Sequence, residues 1–336
     1  MRSEAVSPGP RVGIIGTGFM GTTHAAAWHA IGATPSAFLD RQGADDALPR
    51  QYGAEVFTEL DAFLGAVDVV DICAPTHLHA DLALAAAAAG KPTLCEKPLS
   101  LDVAEGMRVI DAFDRASVPL QVAHLLRFSP EYRAVRDAVV NGEIGRPAVL
   151  RLSRLSFAPD RGADSWFADE SRSGGLFFDL MIHDLDYARW VAGDVVSVYA
   201  RSVGGAKDHG IAILKHASGA ITHVEASWAN PAPVFRTLLE VAGSRGMITF
   251  SSDNTSPLTL RLHKKAEDVT TGLGDVALAA NPFEVELQHF LDVVAGARQP
   301  VLTALDGLAA VQLADAARRS ARTGQPVSIS PLGGGA

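Results

Sequence analysis

The sequence predicts an α/β protein in two parts. A doubly wound parallel sheet should occupy residues 11–125. An α+β part, built on an open and mostly antiparallel sheet, should occupy 126–330. Two observations predict this. Short apolar runs alternate with helical patterns through the first 125 residues, the order of successive βαβ units. After Arg146 the helical spacing gives way to runs of alternating character divided by turn residues, as antiparallel strands are. A chain of 336 residues is also longer than one hydrophobic core usually serves.

The elements follow in order. In the first part, the runs at 12–15, 36–39, 69–73, 93–95 and 120–123 read as strands. The patterns at 21–31, 60–64, 79–89 and 103–113 read as the helices between them. A further helix at 130–141 ends at Asn141-Gly142, a turn pair. In the second part, strands are expected at 148–156, 195–203, 210–215, 220–228, 235–242, 247–250 and 258–262, with a last one at 326–330. A helix at 174–192 precedes most of them, and helices at 283–295 and 305–322 follow.

Composition excludes several functions. Hydrophobic residues are 48% and charged residues 20%, which suits a globular chain. A formal net charge of −9 opposes binding to a nucleic-acid backbone or an anionic membrane. No apolar run reaches bilayer length; the alanine-rich stretch at 80–90 is too short. The N-terminal MRSEAVSPGP has no apolar segment of the signal-peptide kind. Cys73 and Cys95 each end an apolar run and read as buried packing thiols. The absence of a disulfide framework fits a reducing cytoplasm. No Cys/His group has zinc spacing.

The loop Gly16-Thr-Gly18-Phe19-Met20-Gly21 follows the first strand and opens a helix. Gly16 would make the tight turn, Gly18 would let the backbone approach a pyrophosphate, and Gly21 would let helix and strand pack closely. The helix N-terminus then offers free N–H groups to the anion. Asp40 lies 19 residues past Gly21, at the end of the second strand, where a carboxylate accepts from a ribose diol. This is a Rossmann fingerprint. Asp40 favours NAD, because a carboxylate repels a 2′-phosphate. Arg41 could pair with that phosphate, so NADP stays possible. Pro75, Thr76 and His79 follow the strand at 69–73 and should line the same cleft, since ligands of such sheets sit at the carboxyl ends of the strands.

Leu94-Cys-Glu-Lys-Pro98 ends the next strand. Lys97 would point toward the nicotinamide and stabilise negative charge growing on a substrate oxygen. Glu96 would hold it, and Pro98 would stiffen the turn. The segment GGLFFDLMIHDLDYARW at 174–190 places four polar side chains among apolar ones. At about 100° per residue, Asp179, His183 and Asp186 fall on one face and Asp184 on another. Carboxylates beside His183 would raise its pKa and burial would lower it. Arg127 either donates to a substrate or braces the junction of the two domains. Trp166 either covers a sugar face or packs. Asp184 and Asp186 read as structural, with Arg189 a possible partner, and His209, His216 and His223 read as sheet histidines.

The succession GTGFMG, Asp40, APTHLHADLALAAAAAGKPTLCEKPLS, LLRFSPEY and GGLFFDLMIHDLD resembles the glucose–fructose oxidoreductase, inositol dehydrogenase and rhizopine-catabolism (Gfo/Idh/MocA) family from about Arg11 to Ser330. The resemblance implies an NAD(P)-binding Rossmann domain and a C-terminal α/β domain whose sheet joins subunits into a dimer or tetramer. It implies that the closing helix packs back toward the Rossmann domain. It places the family's catalytic lysine on Lys97, its catalytic histidine on His183 and its aspartate on Asp179. Family enzymes usually oxidise or reduce sugars, cyclitols and related polyols. The IHDLD run is similar to that of inositol 2-dehydrogenases, with Leu185 in place of an aromatic residue. The expected activity is therefore hydride transfer between a nicotinamide and a secondary alcohol. The alternatives are another aldose or keto-sugar oxidoreductase and a dinucleotide-binding regulator without catalysis.

Overall fold

The computed structural model describes residues 9–40, 47–159, 162, 165–204, 208–253, 258–262 and 281–332. Arg41 lies outside them. Among the described residues, the first part comprises β1 (Val12–Ile15), α1 (Phe19–Ala30), β2 (Ala37–Leu39), α2 (Ala47–Tyr52), β3 (Glu55–Phe57), α3 (Leu60–Ala66), β4 (Val69–Ile72), α4 (His79–Ala88), β5 (Thr93–Glu96), α5 (Val103–Ala116) and β6 (Leu120–Ala123). The strands form a parallel sheet in the order β3-β2-β1-β4-β5-β6. Its direction reverses between β1 and β4, so a crevice opens at their carboxyl ends. β1, β4 and β5 are buried throughout, as strands covered by helices on both faces must be. The unexpected α2 and β3 lack an apolar run: β3 is a three-residue edge strand with an exposed end.

A linking helix, α6 (Pro130–Val140), leads to β7 (Pro147–Leu155), α7 (Glu170–Ser173), α8 (Ile182–Ala192), β8 (Val195–Val203), β9 (His209–His216), β10 (Ile221–Ser227), β11 (Arg236–Gly243), β12 (Gly246–Ser251), β13 (Leu258–Leu262), α9 (Pro282–Val294), α10 (Ala304–Thr323) and β14 (Val327–Ser328). The strands form one sheet, β13-β12-β11-β7-β10-β9-β8-β14, antiparallel except where β7 meets β10. Burial alternates strictly along β9, so one face meets the helices and the other meets solvent.

The two last helices tie the parts together. α10 is capped by Thr303 and Asp306 in a reciprocal box and stops at Gly324, whose φ is +70°. Its small buried residues allow close approach on two sides. A Cβ at Gly307 would stand 2.5 Å from Val122 of β6, and one at Gly106 of α5 would stand 2.5 Å from Leu308. α10 also packs on β8 and α8. The closing helix thus contacts β6 and α5 of the first part. α9 contacts the first part too: Leu287 and Phe290 are fully buried in the cluster that holds Ile14, Trp28 and Phe38. A boundary at 125/126 therefore separates the first core from a helix that completes it.

The helix expected over 174–192 contains a π-helical turn, Phe177–Met181, directly before α8. Each residue of a π-turn advances by less than in an α-helix, so α-helical angles do not carry across it. Asp179 sits in that turn.

Candidate active site

The dinucleotide loop has the form its glycines predict. Gly16 has φ +103°, and a Cβ there would stand 2.6 Å from the carbonyl oxygen of Cys73. A Cβ at Gly21 would stand 2.1 Å from the Gly16 carbonyl oxygen. Gly18 differs: a Cβ there meets nothing within 4 Å, so its open side faces the crevice. Phe19 and Met20 begin α1, and Phe19 is exposed. The first turn of α1 carries no acidic side chain, which leaves its positive end free for an anion. Asp40 follows β2, where Thr17 Oγ1 donates to its Oδ2 at 3.0 Å. An open backbone, a helix N-terminus and a carboxylate at the next strand end fit a pyrophosphate and an adenosine ribose.

Pro75 and Thr76 start a short 3₁₀ turn after β4, and Thr76 is buried. His79 does not open onto the crevice. It is buried, with Nδ1 2.7 Å from the Pro98 carbonyl oxygen and Nε2 2.8 Å from that of Ala74. It clamps the Lys97–Pro98 turn, whose peptide bond is cis. The expected cofactor contact is corrected accordingly: both ring nitrogens are taken by backbone.

Lys97 leaves the carboxyl end of β5 and reaches the π-turn. Its Nζ donates to the Asp179 carbonyl oxygen at 2.6 Å and to Asp179 Oδ1 at 3.0 Å. Behind it, the Lys97 N–H donates to Glu96 Oε2 at 3.1 Å. His183 follows in the first turn of α8. It keeps part of its surface open, but its Nδ1 is sealed from solvent and has no hydrogen-bond partner. Burial, then the positive charges of Lys97 and Arg154, push its pKa well below the usual 6.5. Of the two opposing effects weighed above, desolvation wins, and the ring is neutral. A neutral imidazole beside an ammonium can accept a proton that the ammonium has helped to loosen.

The other polar residues of α8 are structural, though not through Arg189. Asp186 receives Arg127 at 2.6 and 2.9 Å, with both side chains buried. Arg127 also reaches the Val301 carbonyl and Asp306. Its donors are thus engaged, and it is the brace rather than the substrate donor of the two alternatives. Asp184 pairs with buried Arg154 at 2.8 and 3.2 Å. Arg189 binds Asp194 and Asp306. The three-member stripe therefore divides: Asp179 binds Lys97, His183 feels the lysine charge, and Asp186 is spent on the junction. Trp166 stands against the rings of His77 and Phe167, half-buried, beside the Arg172–His77 contact of 3.0 Å. His216 bonds Gly193 and Thr222, a structural role. Cys73 and Cys95 are buried free thiols.

Two further histidines were not singled out from the sequence. His124 directly follows β6, is buried, has no hydrogen-bond partner on either ring nitrogen, and has Nδ1 3.9 Å from Asp186. His24, on α1, stands between Asp71 and Glu96. The signal for His24 was its spacing: Gly21, His24, Ala25 and Trp28 form the buried face of α1, and a histidine on such a face needs polar partners.

The chain resembles known proteins over most of its length. Residues 10–124 match the model of the oxidoreductase family with an NAD-binding Rossmann fold, and residues 132–249 match the GFO/IDH/MocA C-terminal domain. The chain is 32% identical to inositol 2-dehydrogenase of Rhizobium meliloti (strain 1021), covering 95% of this chain and 99% of that one. It is 31% identical to D-apiose dehydrogenase of Paraburkholderia graminis, covering 95% and 89%. Among solved structures, levoglucosan dehydrogenase in complex with NADH and levoglucosan superposes with a TM-score of 0.87 at 24% identity, covering 96% of this chain and 99% of that one, which shows a shared fold.

Proposed function

The chain belongs to the GFO/IDH/MocA oxidoreductases, with an NAD-binding Rossmann fold, and from that premise we propose that it oxidises a secondary alcohol of a cyclitol or sugar with NAD. The observation that carries the proposal is the Lys97–Asp179 contact at the carboxyl end of β5, with His183 near enough for the lysine charge to act on it. When bound, the nicotinamide supplies the hydride acceptor. The chain's own residues do the rest. Lys97 donates to the substrate hydroxyl oxygen and stabilises the negative charge that grows there as the carbinol hydride departs. His183, neutral, takes the hydroxyl proton. Asp179 holds the lysine ammonium and accepts from a neighbouring hydroxyl. The products are a ketone, a reduced nicotinamide and a proton held on His183.

NAD reduction, followed by absorbance across inositols, aldoses and sugar acids with NAD and NADP, tests this reading. Turnover with one class and a preference for NAD is expected. Silence across the panel, with dinucleotide binding shown by calorimetry, would overturn it. An aldose in place of a cyclitol is the second reading, favoured by a D-apiose dehydrogenase nearly as similar to this chain as the inositol enzyme is.

The acting form is a dimer or tetramer joined through the outer face of the large sheet. That face exposes Tyr199, Ile211, Ile213, Ile221 and Leu238, with Tyr199 opposite Ile213 and Ile213 opposite His223. A hydrophobic face of this kind is costly in water, and a second copy would cover it. Sedimentation of Ile213→Arg beside the wild type reads this directly. Among the described residues no helix is long and apolar enough to cross a membrane, and two buried free thiols suit the cytoplasm.

A further inference from the structure

Beneath the site lies a buried polar chain that the hydride reaction as described does not use. It starts at Trp28 on α1, whose Nε1–H donates to Asp71 Oδ2 at 2.7 Å. The same oxygen accepts from His24 Nδ1 at 2.9 Å. On the far side of the ring, Nε2 makes no hydrogen bond but stands 3.1 Å from Glu96 Oε1, so this link is one of charge alone. The other oxygen of Glu96 accepts the backbone N–H of Lys97 at 3.1 Å. His24 and Asp71 are wholly buried and Glu96 nearly so. Two carboxylates facing one imidazole in a dry interior call for a positive ring between them. The groups facing His24 from each packed element are Asp71 and Cys73 of the β4 end, Glu96 of β5, and Phe283 and Glu286 of α9. Burial alone would lower the His24 pKa, but Asp71 and its neighbours carry it well above 6.5.

We infer that Trp28–Asp71–His24–Glu96 is a positioning chain that fixes the Lys97 turn from the rear and ties it to the helix of the dinucleotide loop. His24 sits one turn into α1, the helix that the dinucleotide loop opens. The chain therefore makes the geometry of Lys97 depend on the seating of α1. A metal ion is the competing occupant, since one atom each of His24, Asp71 and Cys73 lie within 4.8 Å of one another. The hydrogen bonds argue for a proton instead: His24 Nδ1 and Trp28 Nε1 already donate to one Asp71 oxygen, and the Cys73 thiol lies 3.5 Å from the other.

The inference rests on the proposed role of Lys97, so its test needs one readout that does not require turnover. The full-length protein with NADH bound is prepared as wild type, His24→Gln, Glu96→Gln and the double variant. Glu96→Gln is nearly isosteric and stands in if His24→Gln does not fold. In protein with ¹³C-methylated lysines, the Lys97 signal, assigned through Lys97→Arg, reports the lysine's surroundings. Both single variants should shift it, and the double variant should shift it no further than the larger single change. With substrate, kcat should fall about 10–100-fold in each single variant, and no further in the double. KM and NADH affinity should stay within about threefold, because the chain acts on the lysine rather than on either ligand. An unmoved Lys97 signal, effects that multiply in the double variant, or one equivalent of metal in the purified protein would overturn the chain. A wild type that turns nothing over refutes the dehydrogenase reading, while the lysine signal still decides the chain.

Discussion

Lys97 and Asp179 lie 82 positions apart in sequence, yet the lysine Nζ touches both the carbonyl and the carboxylate of Asp179. One comes from the end of a parallel strand and the other from a π-turn. The contact joins the dinucleotide-binding half to the half that carries His183. An ammonium and a carboxylate thereby meet between the two halves, and the proposed hydride and proton transfer rests on that contact.

The protonation of His183 gives a pH profile. In the proposed mechanism neutral His183 is the active form, and burial followed by nearby positive charge holds its pKa well below 6.5. Activity, as kcat/KM, should therefore stay level as pH falls through 6.5 and decline only well below it. Removing the positive charge in Lys97→Met should move the acid limb of the residual activity upward. An acid limb at or above 6.5 in the wild type would contradict the neutral base. The same shift bears on stability: a histidine kept neutral by folding supports the native state above 6.5 and withdraws that support as pH falls.

The Arg127–Asp186 pair should behave as a buried brace. Both side chains are nearly inaccessible, so Asp186→Asn leaves a guanidinium short of its main counter-charge. Removing one partner of such a pair costs about 3–5 kcal/mol, and urea unfolding should register a loss of that order. The exposed Arg11–Asp68 pair provides the contrast, since Asp68→Asn should move the midpoint little.

Glu286 should be a stability liability. Its side chain is fully buried, both its oxygens lack partners, and burial followed by the charge of Glu96 raises its pKa well above 4.5. It is protonated in the native state and ionised in the unfolded chain at neutral pH, so rising pH favours unfolding until the native pKa is reached. Glu286→Gln should therefore stabilise the protein by about 1–3 kcal/mol near pH 8. The gain should shrink as pH approaches 4.5. Equal stability of the two proteins across that range would show that Glu286 is ionised or solvated.

Asp40 should set the choice of dinucleotide. Its carboxylate follows β2 and takes a hydrogen bond from Thr17, placing negative charge where a 2′-phosphate would sit. Asp40→Ser should lower the NAD-to-NADP preference in kcat/KM by on the order of tenfold, roughly 1.4 kcal/mol. An unchanged ratio would mean that other residues read the ribose.

Much of this arrangement was legible in the sequence. The loop at Gly16–Gly21, the lysine after β5 and the Asp179–His183 spacing each combine a residue type with a position in an element. Pattern reading is strongest there. What escaped it depends on distance in space. Nothing local distinguishes Arg127 as brace from Arg127 as donor, because its partners lie 59 and 179 positions away. His79 looked like a cleft residue until the carbonyls of Ala74 and Pro98 claimed its ring. The π-turn voids the α-helical angle used from Asp179 onward, and Asp186 is taken out of the stripe by Arg127. His24 and Glu286 are polar residues on buried helix faces, and only the folded core shows that they face the same carboxylates.

The most direct test of the account is Lys97→Met, assayed for NAD reduction on the best substrate of the panel, with NAD affinity measured by calorimetry on the same preparation. The account predicts a fall in kcat of about 10²–10³-fold, with NAD affinity within about threefold of wild type. A variant that binds NAD as well as the wild type and turns over at a comparable rate would contradict it, for the charge on the substrate oxygen would then be met by some other group.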